Sequence, residues 1–247
     1  MQAIILYFQF FTALSIPIEI NNVEKTYREG IHFFPIFAFL YASIHAICFY
    51  FLQSQFSLEI VWLFLIFLDV ILTRGFHYDA LADMADGMLS SRKKDDVISI
   101  MKDSHIGAMG TIILILYFMG MYICGFENLH SISSLEEKIL YIIGIKTLSR
   151  GGISFLCINY RHCSEHGLGL LLEGIKTWRI FLSQLIFLGV AYLTGGLIYL
   201  IVYLVNLFLI YLYRKWVEHK IKGMNGDTVG ASTLIGELFM HFILTIF

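Results

Sequence analysis

The chain has 247 residues, of which 58% are hydrophobic and 15% are charged, and its formal net charge is −2. Soluble domains have about 45–50% apolar and about 25% charged residues, so this composition excludes an ordinary soluble domain. The net charge gives no reason to expect a nucleic-acid partner, and we expect none. The chain has 22 Phe, 14 Tyr and only 2 Pro, without period-two alternation, which favours long helices over a membrane barrel. We therefore predict an all-α, polytopic membrane bundle.

The first residues, MQAIILYFQFFTALSIPI, predict an interfacial or partly inserted helix that ends at Pro17. Apolar stretches of span length, about 17–25 residues, follow at 31–52, 58–76, 106–126, 138–158 and 228–247. The stretch 179–213 is too long for one span, and Thr194-Gly195-Gly196 predicts two spans joined by a tight turn. We expect about seven spans in a single domain over residues 1–247.

The basic residues are concentrated in alternate loops. Most Lys and Arg residues fall in four of them: 21–30, 88–105, 159–179 and 214–225. The intervening loops contain none: 53–57, 127–137 and 194–196. Because basic loops remain cytoplasmic, the pattern predicts a multi-pass protein of the cell (inner) membrane. Its N-terminus and the four basic loops would be cytoplasmic, and its C-terminus external.

The segment 77–87, HYDALADMADG, concentrates acidic residues in a chain that has few. On a helix, Asp79, Asp83 and Asp86 fall within about 60° of one another, on one stripe. Carboxylates so placed repel unless a cation neutralises them, and hard oxygen ligands favour Mg²⁺, Mn²⁺ or Ca²⁺. The alternative is a solvated acidic face. His77 lies about 160° from Asp79 on a helix, which suits a capping, substrate-contacting or proton-transfer role better than metal binding.

The segment 101–107, MKDSHIG, opens the third predicted span. Ser104 can cap that helix, Lys102 can face an anion beside the helix N-terminus, and Asp103 can add a carboxylate. The plainer interpretation is an ordinary capped span with a cytoplasmic lysine.

Arg150 lies about 12 residues, or roughly 18 Å, inside the fourth predicted span. A charge at that depth lines a polar cavity or pairs with an acid. Arg150 can therefore bind a phosphate bidentately or pair with intramembrane Asp69, and the sequence leaves both alternatives open.

The segment 223–237, GMNGDTVGASTLIGE, places Asn225 and Asp227 at the start of the last predicted span. These polar groups at a helix N-terminus can bind a phosphate or hydroxyl. The alternative is a small-residue packing face in which Asp227 or Thr228 is the cap.

In this order, the four segments resemble the cobalamin synthase family, the adenosylcobinamide-GDP ribazoletransferases. The motifs stand as HYDALADMADG (77–87), MKDSHIG (101–107), Ser149-Arg150 and GDTVGA (226–231), and the first two are the specific ones. The opening FFTALSIPI also resembles the family's. Three departures stand out: Ala80 replaces the usual Gly, and Ala13 and His105 replace Arg.

The resemblance implies a Mg²⁺-dependent transfer that releases GMP. The adenosylcobinamide-phosphate moiety of adenosylcobinamide-GDP would pass to the 5′-hydroxyl of α-ribazole, or to α-ribazole 5′-phosphate through another position. Metal ligands and catalytic residues would be Asp79, Asp83 and Asp86, with His77 catalytic. Substrate-binding residues would be Lys102, Asp103, Ser104, Arg150, Asn225 and Asp227.

Two other functions compete with this one. A CDP-alcohol phosphotransferase of lipid synthesis has D-x-x-D-G-x-x-A-R spacing, whereas this chain has D-x-x-x-D-x-x-D-G. A divalent-cation transporter would favour acids near mid-membrane, whereas these lie at the end of a predicted span. The sequence is also compatible with a homo-oligomer in the lipid bilayer.

Overall fold

The protein is a bundle of helices. The computed structural model describes residues 1–164 and 166–247, and every regular element in that part of the chain is helical. The α-helices are α1 (Gln2–Phe11), α2 (Val23–Gly30), α3 (Phe34–Leu52), α4 (Leu58–Thr73), α5 (Phe76–Met88), α6 (Lys94–Met101), α7 (Ala108–Ser131), α8 (Leu135–Leu148), α9 (Gly151–Leu156), α10 (Thr177–Ile221) and α11 (Gly226–Leu244). Two 3₁₀ helices lie at Ile31–Phe33 and Leu168–Leu172. The predicted all-α class is confirmed.

Four helical segments of the described chain are long and apolar enough to cross a membrane: Val23–Leu52, Ala108–Ser131, Leu135–Leu156 and Thr177–Ile221. Helices α4 and α11 lie at two further predicted spans, although α4 has only 16 residues. Large apolar side chains of α10 point outward, with Phe181 70% and Leu193 77% exposed, as contact with lipid requires. The membrane architecture is confirmed, and the total of about seven spans stays a prediction.

Helix α10 consists of two helices joined by a sharp turn. Gly195 (φ −157°, ψ 18°) and Gly196 (φ 62°, ψ −145°) interrupt it, and the second conformation is close to one that only glycine adopts readily. The Tyr203 hydroxyl donates to Oε1 of Gln184 at 2.7 Å, so the second half packs back along the first. The prediction of two segments joined at 194–196 is confirmed.

The acidic run lies on a helix of its own. Arg74 (φ 52°) and Gly75 (φ 71°) both have left-handed backbone, and the Gly75 amide donates to the Val70 carbonyl at 2.9 Å. This closes α4 at its C-terminus and turns the chain before α5 begins. The acidic run therefore begins a new helix and does not extend α4.

Helix α1 is shorter than predicted, ending at Phe11 rather than at Pro17. The Thr12 hydroxyl donates to the Phe8 carbonyl at 2.6 Å and accepts from the Leu14 amide at 3.2 Å. These side-chain bonds offer the backbone an alternative to helix, so the chain leaves the helix before the proline.

A buried cluster of four charged groups joins three helices at the centre of the bundle. Lys146 Nζ lies 2.8 Å from Asp69 Oδ1 and 2.7 Å from Glu237 Oε1, and Arg150 Nη2 lies 3.6 Å from Asp69 Oδ1. Two hydroxyls donate to the Asp69 carboxylate: Tyr41 at 2.8 Å and Tyr78 at 2.9 Å. Two acids thus balance two bases, as burial in an apolar interior requires.

The four basic loops meet at one end of the bundle. Three hydrogen bonds to carbonyls join them: Arg28 Nη2 to Leu170 (2.9 Å), the Cys163 amide to Met224 (2.9 Å) and Lys220 Nζ to Met88 (2.6 Å). At the other end, Asn128 Nδ2 donates to the His241 carbonyl at 2.8 Å. This grouping agrees with the alternation that the charge pattern predicts.

Candidate active site

Two cavities open beside α5, at the end of the bundle where the basic loops meet. The smaller has a volume of about 250 Å³ and the larger about 910 Å³. Four residues line both of them: Phe10, Phe76, Asp79 and Lys102. Asp227 lines the smaller cavity and Asp83 the larger. The exposed carboxylate of Asp79 therefore lies at the junction.

Three carboxylates converge at this junction. Asp79 and Asp83 lie one turn apart on α5, and Asp227 lies in the first turn of α11. Burial, and then the negative charges of Asp79, Asp227 and Asp86, raise the pKa of Asp83 to about 7. Burial and the charge of Asp79 raise the pKa of Asp227 to about 6, with Lys102 acting in the opposite direction. The cluster therefore holds more negative charge than its neighbours neutralise.

Asp86, the third predicted ligand, is directed at α7. Its two carboxylate oxygens accept from the Gly107 amide at 2.7 Å and the Gly110 amide at 2.8 Å. A Cβ on either glycine would lie 2.4 Å from an Asp86 oxygen, so the close approach requires glycine. Asp86 therefore caps the N-terminus of α7 from another helix, and is absent from the residues that line the two cavities.

His77, predicted to be catalytic, lies behind the cavity walls. It is 1% exposed, its ring stacks on Phe11 with centroids 5.7 Å apart, and it lines neither cavity. A catalytic role for His77 stays a prediction, and the structure offers it no contact with the junction.

Lys102, Asp103 and Ser104 all line the larger cavity, as expected of substrate-binding residues. Asp103 Oδ1 accepts from the His105 amide at 3.1 Å and lies 2.8 Å from His105 Nδ1, and these bonds lower the pKa of Asp103. Ser104 does not cap the third span, because α7 begins only at Ala108, where Asp86 supplies the cap.

Arg150 lies beside the carboxylate of Asp69 and lines neither cavity. It is 2% exposed, its guanidinium carbon lies 3.9 Å from the centroid of the Tyr41 ring, and its Nη1 donates to the Lys146 carbonyl at 2.7 Å. Of the two alternatives left open by the sequence, this arrangement favours pairing with Asp69.

Asn225 is the cap of α11. Its side-chain oxygen accepts from the Thr228 amide at 2.9 Å, and its Nδ2 donates to Asp227 Oδ2 at 2.9 Å. Asn225 therefore positions one carboxylate of the cluster while lining the smaller cavity. The expected cap at Asp227 or Thr228 is wrong, because the capping oxygen belongs to the residue before the helix.

The small-residue face of α11 packs on α5 beside the cluster. A Cβ added to Gly230 would lie only 2.8 Å from the Cβ of Ala80, so there is room for a methyl group at one of these positions but not at both. The glycine on α11 thus accommodates the alanine that departs from the family pattern.

The sequence interpretation missed the loop that closes the smaller cavity. His162, Gly167 and Gly169 line this cavity together with Leu171 and Leu172. The only local signal was the H-x-x-x-H-G-x-G run at 162–169 in a basic loop. Nothing in that run indicates that His162, Gly167 and Gly169 line a cavity together with residues of α5.

The donor set at the junction fits a hard divalent cation. No three His, Cys, Asp or Glu side chains of residues 1–164 and 166–247 are placed to hold a metal ion unaided. Mg²⁺, however, commonly takes only one or two carboxylates and fills its shell with water and substrate phosphates. The mutually repelling oxygens of Asp79, Asp83 and Asp227 suit that mode of binding.

Fold and site together define a helical membrane protein with an acidic cluster between two cavities. The chain belongs to the cobalamin-5-phosphate synthase family, which matches residues 3–245.

Curated relatives agree with this assignment over almost their full length. The chain is 34% identical to the adenosylcobinamide-GDP ribazoletransferase of Listeria welshimeri, covering 100% of this chain and 98% of the relative. It is 34% identical to that of Clostridium novyi, with the same coverage, and 30% identical to that of Clostridium botulinum, covering 97% and 96%. No solved structure matches the chain. These matches give no support to a CDP-alcohol phosphotransferase or a cation transporter.

Proposed function

We propose that this protein is a transferase of cobalamin biosynthesis that moves the adenosylcobinamide-phosphate moiety from adenosylcobinamide-GDP to α-ribazole or its 5′-phosphate. The observation that supports the proposal most directly is the acidic junction, because the two most specific family motifs supply residues to it. Asp79 and Asp83 come from the first motif and Lys102 from the second.

The family description names a product with a 5-phosphate. An acceptor whose 5′ position is already phosphorylated cannot attack through that oxygen. We therefore propose that another ribose hydroxyl attacks, in place of the 5′-hydroxyl expected for the unphosphorylated acceptor.

In the proposed step, the acceptor oxygen forms a bond to the phosphorus that carries the cobinamide. The bond from that phosphorus to the oxygen of the guanosine phosphate breaks, and GMP leaves with the bonding electron pair. The hydroxyl proton passes to a carboxylate of the junction and on to solvent. Lys102, which lines both cavities, would neutralise phosphate oxygens of the donor.

One or two of the carboxylates of Asp79, Asp83 and Asp227 would bind Mg²⁺ directly, and Asp227 replaces Asp86 among the candidate ligands. When bound, the ion supplies stabilisation of the charge that develops on the leaving phosphate. Burial raises the pKa values of Asp83 and Asp227, and the charges of neighbouring carboxylates raise them further. These raised pKa values support the proposal, since a bound cation would favour the charged form of both carboxylates.

The proposal is tested with purified protein in detergent, supplied with adenosylcobinamide-GDP, α-ribazole or its 5′-phosphate, and Mg²⁺. We expect GMP and a corrinoid that carries the new nucleotide loop to form in equal amounts, and a chelator to stop both. Under conditions that support turnover by the Listeria welshimeri relative, failure to release GMP would overturn the assignment.

A further inference from the structure

The two cavities differ in the chemistry of their walls. Aromatic and aliphatic side chains dominate the smaller one, including Phe11, Tyr27, Ile153 and Leu172. The larger one presents charged and hydroxyl groups, including Arg74, Asp83 and Ser104. A planar aromatic base is stabilised by burial against the apolar wall of the smaller cavity. A charged diphosphate requires the charged and hydroxyl groups of the larger cavity.

One polar atom in the smaller cavity lacks a partner. His162 is 9% exposed, and its buried Nε2 has no hydrogen-bond partner among the described residues. Its other nitrogen, Nδ1, lies 2.7 Å from the Ser164 carbonyl and 3.1 Å from the Ser164 amide. The shorter contact places the proton on Nδ1, which leaves a lone pair on Nε2.

Two glycines leave room at the edge of the His162 ring that carries this atom. A Cβ added to Gly169 would lie 2.8 Å from Nε2, and one added to Gly167 would lie 3.3 Å from it. Side chains at these positions would occupy the space beside Nε2. The loop therefore holds a buried acceptor in the wall of an apolar cavity, and buried acceptors in native proteins are normally satisfied.

We infer that the smaller cavity binds the acceptor nucleoside and that a ribose hydroxyl donates a hydrogen bond to His162 Nε2. The aromatic base lies against the apolar wall, and the attacking hydroxyl faces Asp79 at the junction. The nucleotide-activated donor occupies the larger cavity and presents its phosphates to Lys102 from the other side. This inference rests on the proposed function and assigns one substrate to each cavity.

The first test replaces His162 with Phe, which keeps a ring but removes the acceptor, and with Gln, whose amide oxygen can still accept. We expect H162F to raise the KM and Kd for α-ribazole about three- to tenfold, the loss expected for one hydrogen bond. The KM for adenosylcobinamide-GDP should stay within about twofold of the wild type, because the donor does not contact Nε2. H162Q should recover part of the loss.

The matched control is H130F. His130 lies in the last turn of α7 and lines neither cavity, so this variant should leave the KM values for both substrates unchanged. Equal rises in both KM values, or unchanged binding of α-ribazole to H162F, would overturn the inference. If the wild type turns over while H162F binds α-ribazole normally, only this inference fails. If the wild type does not turn over at all, the proposed function itself fails.

A second test does not depend on the folding of H162F. Leu168 lines only the smaller cavity and Ser104 only the larger, and both are exposed. We expect α-ribazole to slow thiol labelling of L168C severalfold beyond the wild-type background and to leave S104C unchanged. Protection of S104C alone would place the acceptor in the larger cavity and contradict the assignment.

Discussion

Asp86 shows how one aspartate in a repeating acidic motif can have a separate task. Asp79, Asp83 and Asp86 lie on one helix, yet only the third accepts hydrogen bonds from the start of another helix. Since both Asp86 oxygens are used in this way, its removal should affect the stability of α7 more than the binding of metal.

We therefore expect D86N to lower the free energy of unfolding by about 1–3 kcal/mol, because the Asn side chain has one acceptor oxygen and leaves one of the two backbone amides facing its NH2 group. The Mg²⁺ concentration for half-maximal turnover should stay near the wild-type value, whereas D83N should lose Mg²⁺-dependent turnover. Thermal unfolding in detergent and a Mg²⁺ titration measure the two effects. A shift in Mg²⁺ dependence for D86N as large as for D83N would restore Asp86 to the metal site.

Asp83 makes the stability of the metal-free protein depend on pH. Its pKa is raised to about 7, so the folded state retains a proton that the unfolded state has already released. The stabilising contribution is present at low pH and is lost as pH rises from about 4 to about 7. Asp227, with its pKa raised to about 6, acts in the same direction.

Metal-free D83N should accordingly melt higher than the wild type at pH 8, by roughly 2–4 °C for each kcal/mol of repulsion removed. The difference in melting temperature between D83N and the wild type should be smaller at pH 5, where the Asp83 carboxyl of the wild type is largely protonated. Melting curves in chelator at both pH values check this, with E127Q at the other end of the bundle as control. A difference in melting temperature that is larger at pH 5 than at pH 8 would show that protonation of Asp83 does not stabilise the folded protein.

At the scale of helices, the buried charge cluster links α4, α8 and α11. Replacing Lys146 with Met leaves two buried acids with only Arg150 to balance them. We expect a loss of about 3–5 kcal/mol, since removing one partner of a buried pair leaves an uncompensated charge.

Thermal unfolding of K146M measures this loss. The matched control is K138M, because Lys138 lies in the first turn of the same helix, α8, outside the buried charge cluster. The double variant K146M/E237Q should lose less stability than K146M alone, because it removes the one uncompensated negative charge. A double variant that is less stable than the single one would show that Glu237 does not depend on Lys146.

The turn inside α10 depends on the backbone of Gly196. An alanine there would have to adopt φ 62°, ψ −145°, at a cost of about 1–3 kcal/mol. G196A should therefore lower thermal stability. G189A is the control, because a Cβ at Gly189 meets nothing within 4 Å and a mid-helix alanine is favourable. Equal stability of the two variants would show that the turn tolerates a side chain.

For the whole molecule, the grouping of the basic loops at one end supports the proposed cytoplasmic placement of the site. In intact cells, a membrane-impermeant thiol reagent should label S54C, in an intervening loop, and leave K93C at its wild-type background. Permeabilised cells should label both. Labelling of K93C but not S54C in intact cells would invert the orientation.

Local pattern predicted the helix with Asp79 and Asp83 and the turn near Gly196, because both depend on residues close in sequence. It failed where the deciding partner is distant. The amides that bind Asp86 lie 21 and 24 residues away, and Lys146 lies 77 residues from Asp69. Helical periodicity shows which residues share a face, but not which other helix that face meets.

The packing of α11 along α5 has a consequence for synthesis of the protein. At about 5–20 residues per second, the ribosome needs roughly 7–30 s after making Asp79 to reach Asp227, which completes the junction. During that interval α5 is present without the helix that covers it. A nascent chain that stops before α11 lacks the residues of that helix that line the smaller cavity, including Asp227 and Gly230, so this cavity is complete only when nearly the whole chain has been made.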